Sequence, residues 1–195
     1  MRWLPEEFYW IVSCTAFTEW DEKRVVRSAW GMNMSFRREA FDYCRFSEGT
    51  GQTTGDFEAW KAGPFDDVEF SLNLRRKSGK LIVYDPDVKV RHRVYGYRLT
   101  SRFLRGQSYW QGYTKGALRK IYPDDADMRG LGRERALLRQ ICLRFIPRTL
   151  WRLPQSPRLA CRRLILAADV LSHVGLGYLA ANCGAVAALT RGRYA

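Results

Sequence analysis

No two cysteines in this 195-residue chain stand in a C-x-x-C pair, and their number is odd: Cys14, Cys44, Cys142, Cys161 and Cys183. That argues against a disulfide scaffold and against a cysteine-based zinc site, and it fits a reducing compartment. No Gly-x-y period, heptad run or longer repeat occurs, which excludes collagen-like, coiled-coil and solenoid architectures. The opening MRWLPEEFYW carries charges and lacks the apolar core of a secretory signal. What is present suits a folded domain with a tail: 46% hydrophobic and 27% charged residues, with seven Trp, exclude global disorder and a low-complexity linker.

The net charge of +13 is unevenly spread. Residues 1–92 hold 14 Lys/Arg against 15 Asp/Glu, whereas residues 93–195 hold 19 against 5. A near-neutral first half is thus joined to a strongly basic second half, which requires a negative partner: nucleic acid, anionic lipid or a phosphorylated substrate.

Local patterns place the elements. Pro5, Glu6 and Glu7 suit the first turn of a short helix. Ser35–Tyr43 reads as a helix with Phe36, Ala40 and Phe41 on one face. A loop rich in Gly, Thr and Ser follows at Ser47–Gly55. The next helix has Asp66, Asp67 and Glu69 in its first turn and Arg75, Arg76 and Lys77 in its last, with Gly79 as its stop; both charge clusters complement the helix dipole. Lys80–Tyr84 reads as a short strand and Asp85-Pro86-Asp87 as a turn. Val88–Val94 alternates, so Val88, Val90, His92 and Val94 are expected to face the body of the domain. Arg98–Lys120 reads as an amphipathic helix whose regularity is weakened by Gly106, Gly112 and Gly116.

From Arg129 onward Arg alternates with Leu and Ile, broken by Pro147, Pro154 and Pro157, and 164–189 is an apolar run interrupted by Asp169, Ser172, His173 and Asn182. Three readings apply to this tail: a helix pair lying in a membrane interface, one spanning segment at 164–189, or a soluble helix hairpin. The spacing of Arg among Leu and Ile suits a lipid interface better than a nucleic-acid groove, so no nucleic acid is expected as partner.

Two segments could carry chemistry. Adjacent carboxylates at Asp66 and Asp67 can act as a general base on a substrate hydroxyl, or they can simply cap the helix. Gly31-Met32-Asn33 places a glycine and an amide just before Arg37 and Arg38, permitting close approach of a ligand, or forming an ordinary loop-to-helix junction. His92 alone is more often a satisfied core or edge histidine than a metal ligand.

The order of these pieces is more specific than any one. Gly31-x-Asn33-Met34-Ser35-Phe36-Arg37-Arg38, then Asp66-Asp67 opening a helix that ends Leu74-Arg75-Arg76, then Tyr84-Asp85-Pro86-x-Val88-x-Val90-x-His92 resembles the second half of family 2 glycosyltransferases with the GT-A fold. The flanking Trp3-Leu4-Pro5-Glu6-Glu7-Phe8-Tyr9-Trp10 and Tyr109-Trp110-Gln111-Gly112-Tyr113 resemble membrane-associated members that build polyprenyl- or dolichyl-linked sugars. The resemblance implies an α/β fold, the C-terminal half of a Rossmann-like GT-A domain over residues 1–122, followed by a basic, apolar α-helical tail over 123–195.

It also implies roles. Asp67 would match the catalytic base of the family's acidic pair, and Asp66 the other member on a shorter arm than the usual Glu. Glu69 would be the further acid two positions on. Gly31, Asn33 and Arg37 would belong to the substrate-binding loop. His92 would match the histidine that helps hold a divalent metal, Mg²⁺ or Mn²⁺, on the donor diphosphate. Gln107, Trp110 and Gln111 would bind substrate, matching a Gln/Arg/Trp motif at altered spacing. The implied partners are a nucleotide-sugar donor, a lipid-phosphate or glycan acceptor and the anionic membrane surface at the cytoplasmic face of the cell membrane.

The family's nucleotide-binding half and its Asp-x-Asp motif have no counterpart; Asp85-Pro86-Asp87 has that spelling but sits in the wrong turn. The chain therefore reads as a C-terminal fragment, a split gene product working with a separate N-terminal half, or a mis-started frame. The alternative function is a non-catalytic membrane-surface or partner-binding module derived from such an enzyme.

Overall fold

A computed structural model describes residues 3–14, 21–46, 66–123 and 132–184, apart from the side chain of residue 133. The Ser47–Gly55 loop and the end of the apolar run at 185–189 lie outside the described residues. The chain divides into two compact units, Glu19–Arg93 and Met1–Thr18 with Val94–Tyr194. The boundary at 122/123 drawn from the resemblance thus falls inside one unit.

The 19–93 unit is mixed α/β. Strand β1 (Arg24–Val26) pairs antiparallel with β2 (Ile82–Tyr84), in the register Arg24↔Tyr84, Val25↔Val83 and Val26↔Ile82. Between them come a single turn, α1 (Ala40–Tyr43), and the helix α2 (Asp66–Ser78). The sequence marked α2 correctly at both ends: its acids and bases lie in the first and last turns, and Gly79 ends it at φ 68°, a conformation that favours glycine.

Helix α1 is shorter than Ser35–Tyr43. Phe36 instead packs its ring 4.7 Å from Phe70, in a cluster where Phe46 stacks on Phe70 at 4.2 Å. Val26, Ala40, Cys44, Phe70, Leu74 and Ile82 complete this core. Asp85–Asp87 is a turn, with the Asp87 N–H donating to Asp85 Oδ1 at 3.1 Å.

The expected strand at Val88–Val94 is not formed. Val88 and Val90 are 58% and 54% exposed, and His92 is exposed rather than aimed into the domain body. Alternation buries one face only where a sheet or core lies beneath it, and the only strand pair among the described residues is β1–β2.

The other unit is helical. A 3-10 helix over Glu6–Val12 buries Phe8, Ile11 and Val12, and its chain leaves through Ser13 at φ 61°. A 3-10 turn at Gly96–Leu99 leads into α3 (Ser101–Ile121), whose N-cap Thr100 accepts from the Phe103 N–H at 3.3 Å. Helix α4 (Gly132–Gln140) continues through a π turn (Ile141–Phe145) into α5 (Ile146–Trp151), and then comes α6 (Pro157–Asn182). The π turn falls just before Pro147, which has no N–H to offer the carbonyl of Leu143.

Helices α3 and α6 form the main contact of this unit. Arg105 meets Asp169, Gly112 meets Val174 and Tyr178, and Gly116 meets Ala181, so contacts advance in step and the helices run parallel. A Cβ at Gly112 would collide with the Val174 carbonyl, one at Gly177 with the Tyr109 carbonyl, and one at Gly116 would lie 2.6 Å from Ala181 Cβ. Two of the glycines that weakened the helix pattern are therefore points of close approach between the helices. Helix α6 is also long and apolar enough to cross a membrane, by length and composition.

Candidate active site

The acidic start of α2 meets the glycine loop. The Gly31 N–H donates to Asp67 Oδ2 at 2.8 Å, and the Val68 N–H donates to Oδ1 at 2.7 Å. One Asp67 oxygen thus accepts from the N–H of its own neighbour in the first turn of α2. The second oxygen reaches across 36 positions of sequence to the loop.

The loop is held from several directions. The Asn33 N–H donates to the Trp30 carbonyl at 2.9 Å, closing a tight turn. The Asn33 side-chain amide donates to the Val88 carbonyl at 2.9 Å, four residues before His92. Buried Ser71 accepts from the Ala29 N–H at 3.1 Å and donates to the Asp67 carbonyl at 2.7 Å. Arg75 donates to the Arg27 carbonyl at 3.3 Å. Loop, helix start and the segment leading to His92 are therefore tied into one piece.

Ser71 was missed by motif reasoning. Its one sequence signal is its place four residues after Asp67, where a helical hydroxyl can bond back to the carbonyl. Among the described residues nothing demands glycine at position 31: a Cβ there would meet Asp67 Oδ2 at 3.4 Å, an ordinary contact.

The remaining expected residues are placed as follows. Asp66 and Glu69 are half-buried in the first turn of α2, and Arg37 is exposed beyond the loop. Gln107, Trp110 and Gln111 lie on α3, in the other unit, and are half-buried. Trp110 packs edge-on against Tyr109 and Tyr113, each at 5.4 Å. Among the described residues no three of His, Cys, Asp and Glu converge to hold a metal ion. A hard divalent cation wants several oxygen ligands, so these residues do not build a complete metal site, and His92 offers one nitrogen.

Charge and reactivity elsewhere in the unit are structural. Lys23 and Asp85 pair at 2.9 Å beside the β1–β2 ladder. The Lys23 hydrogen bond, helped by the Asp87 N–H, holds the Asp85 carboxyl below the usual carboxylate range, and the same bond raises Lys23. Burial pushes the Cys44 thiol up, which keeps it protonated and makes it a core residue rather than a nucleophile.

The chain is similar to a known glycosyltransferase. The chain is 28% identical over 180 residues to one such protein, covering 91% of this chain and 54% of the relative. That relative is the glucosyl-dolichyl phosphate glucuronosyltransferase of Haloferax volcanii. The chain thus spans about half the length of the curated relative it matches. No family model matches, and no solved structure matches.

Proposed function

We propose that this chain carries the acceptor side of an inverting, nucleotide-sugar-dependent glycosyltransferase of the GT-A class, working on a lipid-linked sugar acceptor. The observation that carries the reading is the hydrogen bond from the glycine loop to Asp67. It brings together two of the motifs on which the resemblance rests, in a chain similar to a glucosyl-dolichyl phosphate glucuronosyltransferase.

In this reading the acceptor hydroxyl lies against Asp67. Its oxygen attacks the anomeric carbon, its proton passes to the Asp67 carboxylate, and the bond to the donor diphosphate breaks. The Gly31 and Val68 N–H groups hold the carboxylate in place through the transfer. Gly31, Asn33 and Arg37 flank the donor sugar, and Asp66 and Glu69 border the acceptor. A divalent cation would neutralise the leaving diphosphate, with His92 as one ligand. In the same reading the protein works at an anionic membrane surface, on the cytoplasmic face.

The test is transfer of labelled sugar from nucleotide-sugars to a dolichyl-phosphate-linked acceptor, with Mn²⁺, by the full-length gene product. The proposal expects lipid-linked product. No product and no calorimetric binding of any nucleotide-sugar would leave the non-catalytic membrane module in its place.

A further inference from the structure

The surface of α5 and its π turn carries a feature that the catalytic reading does not use. Ile141, Phe145 and Thr149, four apart, form the buried side of this helix. Leu143, Pro147 and Trp151 stand two positions beyond each, on the opposite side. Leu143 is 64% exposed and Trp151 81% exposed, and Pro147 is exposed with them. Immediately beside this apolar stripe runs a second one, Arg144, Arg148 and Arg152, all exposed. From residue 135 to 168 the chain has eight Arg and no Lys, Asp or Glu. Past Trp151 the chain turns into α6, where a cleft of about 290 Å³ has Arg152, Ser156 and Arg163 in its lining.

We infer that this helix is an in-plane membrane anchor, with Leu143, Leu150 and Trp151 set in the acyl boundary and the Arg144–Arg148–Arg152 stripe on anionic headgroup phosphates. The charge identifies the occupant. A second copy of the same surface would bring like charges face to face. A nucleic acid would satisfy the arginines but gains nothing from exposed Leu143 and Leu150, since stacking needs aromatic faces. An anionic bilayer satisfies both stripes: arginine stems lie along the interface with their heads on phosphate, and Trp sits at the headgroup level. The inference deepens the membrane placement proposed above and uses none of the catalytic residues.

The test is flotation of the full chain with vesicles of phosphatidylcholine alone or mixed with phosphatidylglycerol. Wild type floats with the mixed vesicles. Replacing Arg144, Arg148 and Arg152 with Gln lowers partition to the mixed vesicles on the order of a hundredfold. The pair Leu143→Ser and Trp151→Ser lowers partition at least about tenfold. All five side chains are exposed, so thermal melting is unchanged and a folding defect is distinguishable. Placed in the full-length gene product, these substitutions leave sugar transfer in detergent intact, whereas Asp67→Asn floats like wild type and loses transfer, which separates failure of the anchor from failure of the catalytic reading. Equal flotation of both variant sets with wild type would overturn the inference. So would salt-sensitive oligonucleotide binding by a wild type that does not float.

Discussion

Gly175 and Gly177 stand two residues apart in α6, and replacing each with Ala is expected to move stability in opposite directions. At Gly175 an added Cβ meets nothing within 4 Å. There the change acts on the helix alone, where Ala is better than Gly by roughly 0.8–1 kcal/mol. At Gly177 the same gain is opposed by collision with the Tyr109 carbonyl, a backbone atom that cannot rotate away. Overpacking costs about 1–3 kcal/mol, and more where backbone must move. Gly177→Ala is therefore expected to destabilise by about 2 kcal/mol net. For a chain of this size that is a fall in Tm of roughly 4–8 °C, against a rise of about 2–4 °C for Gly175→Ala. Differential scanning calorimetry of the two variants beside wild type checks both signs. A Gly177→Ala protein stabilised as much as Gly175→Ala would refute the described contact of α3 with α6.

Two further outcomes follow from the site and its surroundings. Gly31→Ala sets a methyl group over the Asp67 carboxylate at ordinary contact distance, so it should leave the melting curve nearly unchanged while raising the acceptor KM or lowering kcat in the transfer assay. The Lys23–Asp85 pair stabilises the β1–β2 ladder above the ordinary carboxylate pKa of about 4. Because the folded-state pKa of Asp85 is lowered, that contribution is lost as pH falls through the lowered value. Amide protection factors in the ladder, taken relative to the intrinsic exchange rate at each pH, should fall at acid pH in wild type, and Asp85→Asn should remove this dependence.

Legibility followed how local each determinant was. Helix α2 was readable because acids, bases and its stop glycine all act within one turn of its ends. The Asp85–Asp87 turn was readable for the same reason. The roles of Gly112 and Gly116 were not, since a glycine costs a helix the same whether it marks a weakness or a contact, and the deciding partners lie in α6, some sixty residues away. Val88–Val94 carried the period of a strand without a sheet to complete it, while β1 was too short to show a period at all. In the site, spacing alone could not separate a capping Asp67 from a catalytic one. In the folded chain one Asp67 oxygen accepts from the Val68 N–H while the other is turned to the glycine loop. The elbow of α5 was legible as alternating Arg and Leu, but which side stays exposed needed the buried positions of Ile141 and Phe145.

The central claim is that the Asp67 carboxylate takes the proton of the acceptor hydroxyl, and kinetics of Asp67→Asn in the full-length protein test it most directly. Asn keeps size and polarity but cannot accept the proton, so kcat should fall about 10²–10⁴-fold with acceptor binding retained. A variant that keeps more than roughly a tenth of wild-type kcat would contradict the account.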